Sequence, residues 1–303
     1  MSTEKSWFHK KGELARDKWQ SVVDATTPGW EYTGIRIAEL VDDESVTLDD
    51  LGVERIFIPL AGSFTVAHND EITTLQGRKS VFDGPTDVLY LPTNTAATLS
   101  GTGRVAVAEA PTTEVKEWKY IPPADTPVEL RGAGRSSRQV HNFGTPEALD
   151  AARLIVCEVI TPGENWSSYP PHKHDEYKPG HESKLEEIYY FESAPTRAER
   201  ARFSGSEDAS EGAFGMFSTY SSPAGDIDIN AMVYTGDIAL VPYGYHGPAV
   251  AAPGYDLYYL NVMAGPDPER IWLINDDPAH AWVRETWDGQ EFDTRLPYKQ
   301  QEG

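Results

Sequence analysis

The chain has 303 residues, enough for one large domain or two of ordinary size. With 39% hydrophobic and 24% charged residues it can bury a sizeable core, which excludes wholesale disorder. The formal net charge of −22 repels phosphate backbones and anionic lipids, so we expect neither a nucleic-acid nor a membrane partner. An anionic substrate would need local positive charge at its binding site.

The sequence indicates a cytoplasmic protein. Its apolar runs are too short to span a bilayer, and the first residues, MSTEKSWFHKKGELAR, lack the apolar stretch of a secretory signal. The single cysteine, Cys157, cannot form an internal disulfide, which suits a reducing compartment. It lies in the apolar run RLIVCEVI, which predicts a buried core position.

Read in chain order, the sequence is dominated by short apolar runs of the β-branched and aromatic residues typical of strands. A weak helical pattern covers Glu13–Val23, and a better one, with Thr145 as N-cap, covers Thr145–Arg153. These strands, separated by turn signals, predict an all-β protein of sandwich or barrel domains with few short helices. The predicted strands are Glu54–Leu60, Ser63–Ala67, Val88–Leu91, Arg104–Ala108, Leu154–Ile160, Glu187–Phe191, Phe214–Tyr220, Ala231–Thr235, Ile238–Pro242 and Asp256–Met263.

A polar segment in the middle of the chain predicts a domain boundary. Ile121–Ser137 is rich in proline, glycine and polar residues and lacks periodic apolar positions. We therefore predict one domain at residues 1–130 and a second at 131–303. A further polar stretch, Ser193–Gly212, is predicted to be a mobile loop inside the second domain.

The two halves carry a similar pattern. In the first, a hydrophobic strand and a Gly-Pro turn precede VLYLPTNTA, and in the second a strand and a Gly-Asp turn precede IALVPYGYH. Laying Pro92 on Pro242 aligns Ala96 with His246. The similarity indicates an internal duplication.

The strongest chemical signal is PPHKHDEYKPGHESKLEEIYYFE, which begins at Pro170. His172 and His174 are two apart, so on a strand both imidazoles face the same way. Glu187 begins the next apolar strand, and GDIALVPYGYHGP supplies His246 after another strand. Three imidazoles and one carboxylate suit a divalent transition metal, of which we favour zinc over manganese, iron, cobalt and nickel. Four unrelated residues are the competing interpretation, but the combined pattern is hard to obtain by chance.

The arrangement HxH, then Glu, then PxGxH between short strands resembles the metal site of cupins. The wider sequence resembles the 5-deoxyglucuronate isomerase family of myo-inositol catabolism. The resemblance implies two tandem cupin domains, which are jelly-roll β-barrels, and a metal-dependent isomerisation of 5-deoxy-D-glucuronate to 5-dehydro-2-deoxy-D-gluconate. The segments that carry it are Trp166–Glu176, Leu185–Phe191, Val241–Pro266 and Ile274–Trp282.

Two features depart from the simplest cupin pattern. The gap from His174 to Glu187 is unusually long, but the isomerase family carries a similar insertion. Glu186 adjoins Glu187, and only one of them can face the site on a strand; we choose Glu187 because it directly precedes IYYF, as in the family pattern. The first half has no HxH and carries Ala96 where a histidine would stand. We predict that this half is a degenerate cupin domain without a metal, which serves structure or assembly.

Aldose–ketose isomerisation moves a proton between adjacent carbons. A bound cation can polarise the carbonyl and stabilise the enediolate, and a base must move the proton; a hydride shift is the other route. The candidate catalytic residues are Tyr189, Tyr190 and Lys173. Alternation places Tyr189 on the face of Glu187 and turns Lys173 away from the histidines.

The substrate is a small sugar acid, so we expect a cationic anchor for its carboxylate. Arg138, in RSSRQVHNFG, is the candidate anchor. Tyr258 is the candidate for a second substrate contact. It and Tyr259 face opposite ways on one strand, so one of them is expected inside the barrel.

Two other function classes fit the same residues. A cupin dioxygenase would use the same ligands around Fe(II), and oxygen uptake would favour it. A non-enzymatic two-cupin protein could bind a sugar, but it would not require the intact metal set. We also expect a homo-oligomer, because the edge strands of two barrels invite association.

Overall fold

The computed structural model describes residues 7–42, 44–202 and 211–299, and strands make up most of the regular structure. The strands up to residue 121 are β1 (Phe8–His9), β2 (Ser21–Val23), β3 (Gly34–Leu40), β4 (Ser45–Leu48), β5 (Val53–His68), β6 (Glu71–Arg78), β7 (Val88–Leu91), β8 (Ala97–Pro111) and β9 (Lys119–Ile121). The later strands are β10 (Val128–Arg131), β11 (Arg138–Gly144), β12 (Ile155–Thr161), β13 (Trp166–Ser167), β14 (His172–Lys173), β15 (Asp175–Lys178), β16 (Glu182–Lys184), β17 (Glu186–Pro195), β18 (Gly215–Ser222), β19 (Gly225–Val233), β20 (Ile238–Val241), β21 (Tyr245–Ala251), β22 (Tyr255–Ala264) and β23 (Asn275–Asp276). The helical segments are α1 (Arg197–Arg202) and the 3-10 turns Val81–Asp83, Pro123–Asp125, Gly134–Ser136 and Ala281–Trp287.

The first half forms one antiparallel sheet in the order β2-β3-β8-β5-β7-β9, with β4 on β8 and β6 on β5. The long strands β5 and β8 pair along nearly their whole length, with a shift in register between Pro59 and Ala61. Near this shift Gly62 faces Gly103, and both have positive φ. A Cβ at Gly62 would lie 2.0 Å from the Thr102 carbonyl, so glycine allows the two backbones to cross closely at the bend.

Alternation along β5 and β8 divides the core into two parts. Phe57, Val105 and Val107 point into a cluster confined to the first half. Ile56 and Ile58, from the opposite face, join a larger cluster that also contains residues of the second half. The sheet of the first half is therefore buried on both faces, and the halves share one hydrophobic core.

The second half is built from two sheets. The larger has the order β1-β20-β17-β22-β12-β11-β10, and the smaller has the order β19-β18-β21-β14-β23 with β13 on β21. Tyr189 and Tyr259 of the larger sheet and Phe217 of the smaller one pack in the same core cluster, with the rings of Tyr189 and Phe217 4.6 Å apart. The sheets thus enclose a barrel interior, and the prediction of an all-β architecture is confirmed.

Buried polar contacts join the halves. The carboxylate of Glu54 accepts three consecutive backbone N–H groups of the second half, and Arg78 pairs with Glu158 at 2.6 Å. β1 adds to the larger sheet of the second half, and β10 begins at residue 128 within the same sheet. The boundary between residues 130 and 131 stays a prediction, although the sheet of the second half includes residues from before it.

The two helix predictions are wrong. Part of Glu13–Val23 is strand β2, and Thr145–Arg153 forms turns. Glu54 captures the backbone N–H groups of Ala152, Arg153 and Leu154 at 2.6–2.7 Å, so these amides cannot bond to carbonyls four residues earlier. A contact from the other half thereby overrides a local helical preference.

The remaining local predictions have mixed outcomes. Cys157 is buried, as predicted. The loop predicted over Ser193–Gly212 starts as the end of β17 and α1, and residues 203–210 lie outside the described residues. In the described part of the chain, no helix is both long and apolar enough to cross a membrane.

Candidate metal centre

Both sheets of the second half supply the candidate metal centre. His172 on β14 pairs directly with His246 on β21, so these two imidazoles start from adjacent positions of the smaller sheet. His174 follows β14, and Glu187 is the second residue of β17 in the larger sheet. The barrel therefore brings three separate sequence segments to one point.

His174, Glu187 and His246, here called the triad, converge closely. Their ligand atoms lie within 4.8 Å of one another, and all three side chains are buried. The Nε2 atoms of His174 and His246 lie 2.9 and 3.0 Å from the same Oε2 of Glu187. Although His246 Nε2 is that close, it makes no well-directed hydrogen bond to any described residue. Nε2 of His246, buried without a hydrogen-bond partner beside a carboxylate and a second imidazole, is a suitable ligand for a divalent transition metal.

The three histidines also share one orientation. Each Nδ1 lies 3.2 Å from a backbone carbonyl, which can only accept a hydrogen bond. Nδ1 therefore carries a proton in each ring, and Nε2 is the ring nitrogen that faces away from the backbone carbonyl. An outer hydrogen bond of this kind is typical of metal-binding histidines. The carbonyls belong to Pro170, Leu185 and Gly244, for His172, His174 and His246 in that order.

His172 lies beside the triad. Its ring centroid is 4.5 Å from that of His246 and 6.4 Å from that of His174. Burial, reinforced by the two neighbouring histidines, holds the pKa of His172 well below its usual value, so its ring is neutral.

The carboxylate of the triad is ionised. Burial alone would raise the pKa of Glu187, but the close contacts and charges of His174 and His246 outweigh it and hold the pKa well below its usual range. Burial would likewise lower the pKa of His174, and the hydrogen bond to Glu187 raises it instead. The neighbouring Glu186 faces the other way and accepts the backbone N–H of Tyr32 at 2.7 Å.

A cavity of about 460 Å³ adjoins the triad, with His172 and Glu187 in its lining. Three arginines also line it, Arg131, Arg138 and Arg284. Arg131 and Arg284 pair with carboxylates, so in this chain of net charge −22 Arg138 offers the uncompensated cation that an anionic substrate would need. The lining also includes Ser168, Tyr189, Tyr259, Asn261, Trp272 and Trp287.

The structure separates the two tyrosines that were predicted to act in catalysis. Tyr189 lines the cavity, with its ring 6.0 Å from that of His246 and its hydroxyl 3.1 Å from Ser168 Oγ. Tyr190 points to the boundary between the halves and donates to Glu192 at 3.0 Å. Tyr190 therefore lies away from the candidate centre.

The two predicted substrate contacts are also separated. Arg138 lines the cavity. Tyr258 instead donates to Glu158 at 2.7 Å, and the adjacent Tyr259 lines the cavity. The buried ion pair of Glu158 with Arg78 fixes the hydroxyl of Tyr258 on the opposite face of β22. Alternation predicted that one of the two tyrosines lies inside, and the structure selects Tyr259.

Lys173 belongs to a buried ion cluster rather than to the cavity. Its Nζ lies 2.5 Å from Asp175 Oδ1 and 2.5 Å from Glu182 Oε1. Asp175 also accepts the N–H of Gly244 at 2.9 Å, and the carbonyl of Gly244 accepts from Nδ1 of His246. Lys173 therefore supports the loop that orients His246, which is a positioning role.

Replacing Lys173 with methionine is expected to lower metal affinity about tenfold, because a partner that orients a ligand is lost. The free energy of unfolding is expected to fall by about 3 kcal/mol, because Asp175 and Glu182 are left buried without their cation. Metal titration and urea denaturation measure the two effects. Lys79→Met, at an exposed side chain of the first half, is the control. Wild-type metal affinity in Lys173→Met would contradict the positioning role.

Sequence reasoning missed several groups of the cavity. Arg131 ends the short strand β10, and Asn261 follows Tyr259 at an ordinary position of β22. The other groups lie on segments with no periodic pattern, namely Trp272, Arg284 and Trp287. Their separation along the chain gives no local signal. Only the similarity noted over Ile274–Trp282 pointed to this part of the sequence.

An all-β chain of two strand-rich halves, with a buried histidine–glutamate cluster inside the barrel of the second half, defines a two-cupin protein with a candidate metal centre. The sequence matches the model of the KduI/IolB family over residues 7–283, and the chain belongs to this family. The predicted family and fold are thereby confirmed.

Individual relatives cover nearly the whole chain. A 5-deoxy-glucuronate isomerase from Geobacillus kaustophilus is 38% identical over 282 residues, which cover 92% of this chain and 93% of that protein. An IolB-like protein from Salmonella typhimurium has a similar structure, with a TM-score of 0.79, 32% identity and coverage of 91% of this chain and 98% of that one. An oxalate decarboxylase from Lactobacillus farciminis, with a TM-score of 0.55, 10% identity and coverage of 84% and 82%, shares the fold alone.

Proposed function

We propose that this chain is a metal-dependent aldose–ketose isomerase that converts 5-deoxy-D-glucuronate to 5-dehydro-2-deoxy-D-gluconate. The membership of the KduI/IolB family and the 38% identity to a 5-deoxy-glucuronate isomerase support the reaction. One structural observation carries the metal dependence: a triad of ligand atoms within 4.8 Å of one another beside a cavity lined by arginines. The metal centre would lie at one part of this cavity, and the acidic substrate would enter the rest.

The proposed metal ligands are His172, His174, Glu187 and His246. The common Nδ1-to-carbonyl contact leaves Nε2 as the metal-binding nitrogen of all three histidines, and Nε2 of His174, which contacts Glu187, would release its proton when the metal binds. A divalent metal held there would supply Lewis-acid polarisation of the substrate carbonyl. His172 and Glu187 also line the cavity, so the centre is open to substrate on that side.

Tyr189 is the proposed hydrogen-bond donor to the reacting oxygens. Burial, together with Glu187 and Tyr259, raises its pKa well above the usual value. The phenol is therefore protonated at neutral pH, and it donates a proton or hydrogen bond rather than removing a proton from carbon. Its contact with Ser168 Oγ fixes the hydroxyl at the edge of the cavity.

The proposal extends to the identity of the metal, the pathway and compartment of the enzyme, and its assembly. Zinc is the proposed metal because it binds three imidazoles and one carboxylate well. The enzyme would act in myo-inositol catabolism in the cytoplasm. A chain with a single cysteine cannot form an internal disulfide, which suits this reducing compartment. It would assemble as a homo-oligomer through exposed strand edges, and light scattering of the purified protein tests this.

The reaction class is tested by supplying 5-deoxy-D-glucuronate to the metal-loaded enzyme in a sealed cell with an oxygen electrode. An isomerase forms ketose with no oxygen consumption, because no electrons leave the substrate. Oxygen uptake in step with substrate loss would instead assign a dioxygenase. Metal and sugar binding without any product would assign a binding protein.

The two tyrosines give a paired prediction. Tyr189→Phe is expected to lower kcat about 100-fold, because one preorganised donor at the reacting oxygens is removed. Tyr190→Phe is expected to leave kcat within about twofold and to cost about 1 kcal/mol of stability through its lost contact with Glu192. Steady-state kinetics and urea denaturation of both variants check this. Equal effects of the two substitutions on kcat would contradict the assignment of Tyr189.

A further inference from the structure

Three side chains in the cavity have N–H groups that no described residue accepts. Arg138 is 7% exposed, and its guanidinium makes one hydrogen bond, from Nη1 to the carbonyl of Ser136 at 3.0 Å. Asn261 is 3% exposed, and its Nδ2 is buried without a partner. The indole Nε1 of Trp272 is buried without a partner as well. All three residues line the same cavity as His172 and Glu187.

The fold holds the guanidinium of Arg138 in place by contacts that leave its charge uncompensated. Its centre lies 5.5 Å from the ring of Trp287, a cation–π contact. Gly132 provides space, because a Cβ there would lie 2.7 Å from Nη1 of Arg138. The side chain is thus fixed by a carbonyl, an aromatic ring and a glycine, none of which is an anion.

The other two arginines of the cavity differ from Arg138 in this respect. Arg131 pairs with Glu129 at 2.9 Å, and Arg284 pairs with Asp276. Among the described residues, no carboxylate lies within ion-pair distance of Arg138. Burial, with Arg131 and Arg284 nearby, lowers the pKa of Arg138 to about 10. A buried cation without an anion is costly, and a bound anion would relieve this cost.

We propose that Arg138, Asn261 and Trp272 form an oxyanion-binding subsite that recognises the carboxylate and hydroxyl oxygens of an open-chain sugar acid. Arg138 binds the carboxylate, and the amide of Asn261 and the indole of Trp272 donate to the remaining oxygens. The identity of the ligand as a sugar acid rests on the proposed function, whereas the preference for an anion rests on the buried guanidinium of Arg138, which no described carboxylate pairs. The subsite selects acidic sugars over neutral ones.

The test is calorimetric binding of D-glucuronate and D-glucose to the metal-loaded protein, since the two sugars differ in the carboxylate. The wild type is expected to prefer glucuronate. Arg138→Met is expected to weaken glucuronate binding roughly 10- to 100-fold, as for loss of a charge-assisted hydrogen bond, and to leave glucose binding unchanged. Trp272→Phe, which removes the N–H and keeps an aromatic ring, is expected to weaken both sugars about fivefold. Arg135→Met, at a side chain that is 68% exposed, is the matched control.

Thermal unfolding distinguishes a ligand-binding role from a structural one. Removing an unpaired buried cation is expected to keep or raise the Tm of Arg138→Met, even though it weakens glucuronate binding. Unchanged preference for glucuronate in Arg138→Met would overturn the proposal, as would equal losses for both sugars with a lowered Tm. A third outcome separates the two proposals: the wild type forms no ketose, and Arg138→Met lacks the preference for glucuronate that the wild type shows. In that case the subsite stands and the proposed isomerase function fails.

Discussion

Replacing His246 with alanine is expected to remove the bound divalent metal and to lower kcat at least about 1000-fold. His246 is fully buried and is the direct strand partner of His172, so no other side chain can take its place in the triad. A loss of Lewis-acid stabilisation of about 4 kcal/mol corresponds to this factor. Metal content by mass spectrometry and steady-state kinetics measure the two effects.

The control for this experiment is His68→Ala, in the half of the chain where Ala96 aligns with His246. His68 contacts Thr73 at 3.0 Å, and its substitution is expected to keep metal and activity. Circular dichroism shows whether His246→Ala remains folded. A folded His246→Ala variant that holds as much metal as the wild type would contradict the assignment of the triad.

Replacing Arg78 with methionine is expected to lower the free energy of unfolding by about 3–5 kcal/mol. Arg78 makes two hydrogen bonds of 2.7 and 2.6 Å to Glu158, and both side chains are fully buried. Burial alone would raise the pKa of Glu158, but Arg78 and His141 hold it at about 2. Without Arg78 a charged carboxylate would remain inside the shared core, which is the source of the cost. Urea denaturation measures it.

A double substitution separates the ion pair from general packing. Adding Glu158→Gln to Arg78→Met removes the stranded charge, so the double variant is expected to recover a large part of the lost stability. The exposed Arg135 again provides a control, with an expected change within about 0.5 kcal/mol. A cost below about 1 kcal/mol for Arg78→Met would show that the pair does not hold the halves together.

Local periodicity predicted the features that depend on neighbours in the sequence. The alternation of side chains on a strand favoured Tyr189 over Tyr190 and allowed only one of Glu186 and Glu187 at the candidate centre, and the resemblance to the family selected Glu187. The alternation itself needs only the direction of one strand. The spacing of two residues between His172 and His174 likewise predicted that both imidazoles face the same way. In the structure β14 ends at Lys173, and His174 lies just after it.

Contacts between distant segments decided the features that the sequence left open. Tyr258 lies outside the cavity because Glu158, 100 residues earlier, accepts its hydroxyl. The helix expected over Thr145–Arg153 is absent, and Glu54, about 100 residues earlier, binds the two backbone amides at its end, those of Ala152 and Arg153. The unpaired donor of Trp272 is visible only when the cavity is assembled. None of these pairings leaves a periodic signal in a single sequence.

The most direct test of metal-dependent isomerisation is NMR spectroscopy of 5-deoxy-D-glucuronate with the enzyme in D2O. The metal-free enzyme, prepared with a chelator, is compared with the same sample after zinc is restored. We predict that the aldehyde signals stay unchanged without metal and are replaced by ketose signals once zinc is added. Unchanged aldehyde signals from folded protein that holds its metal would contradict the account.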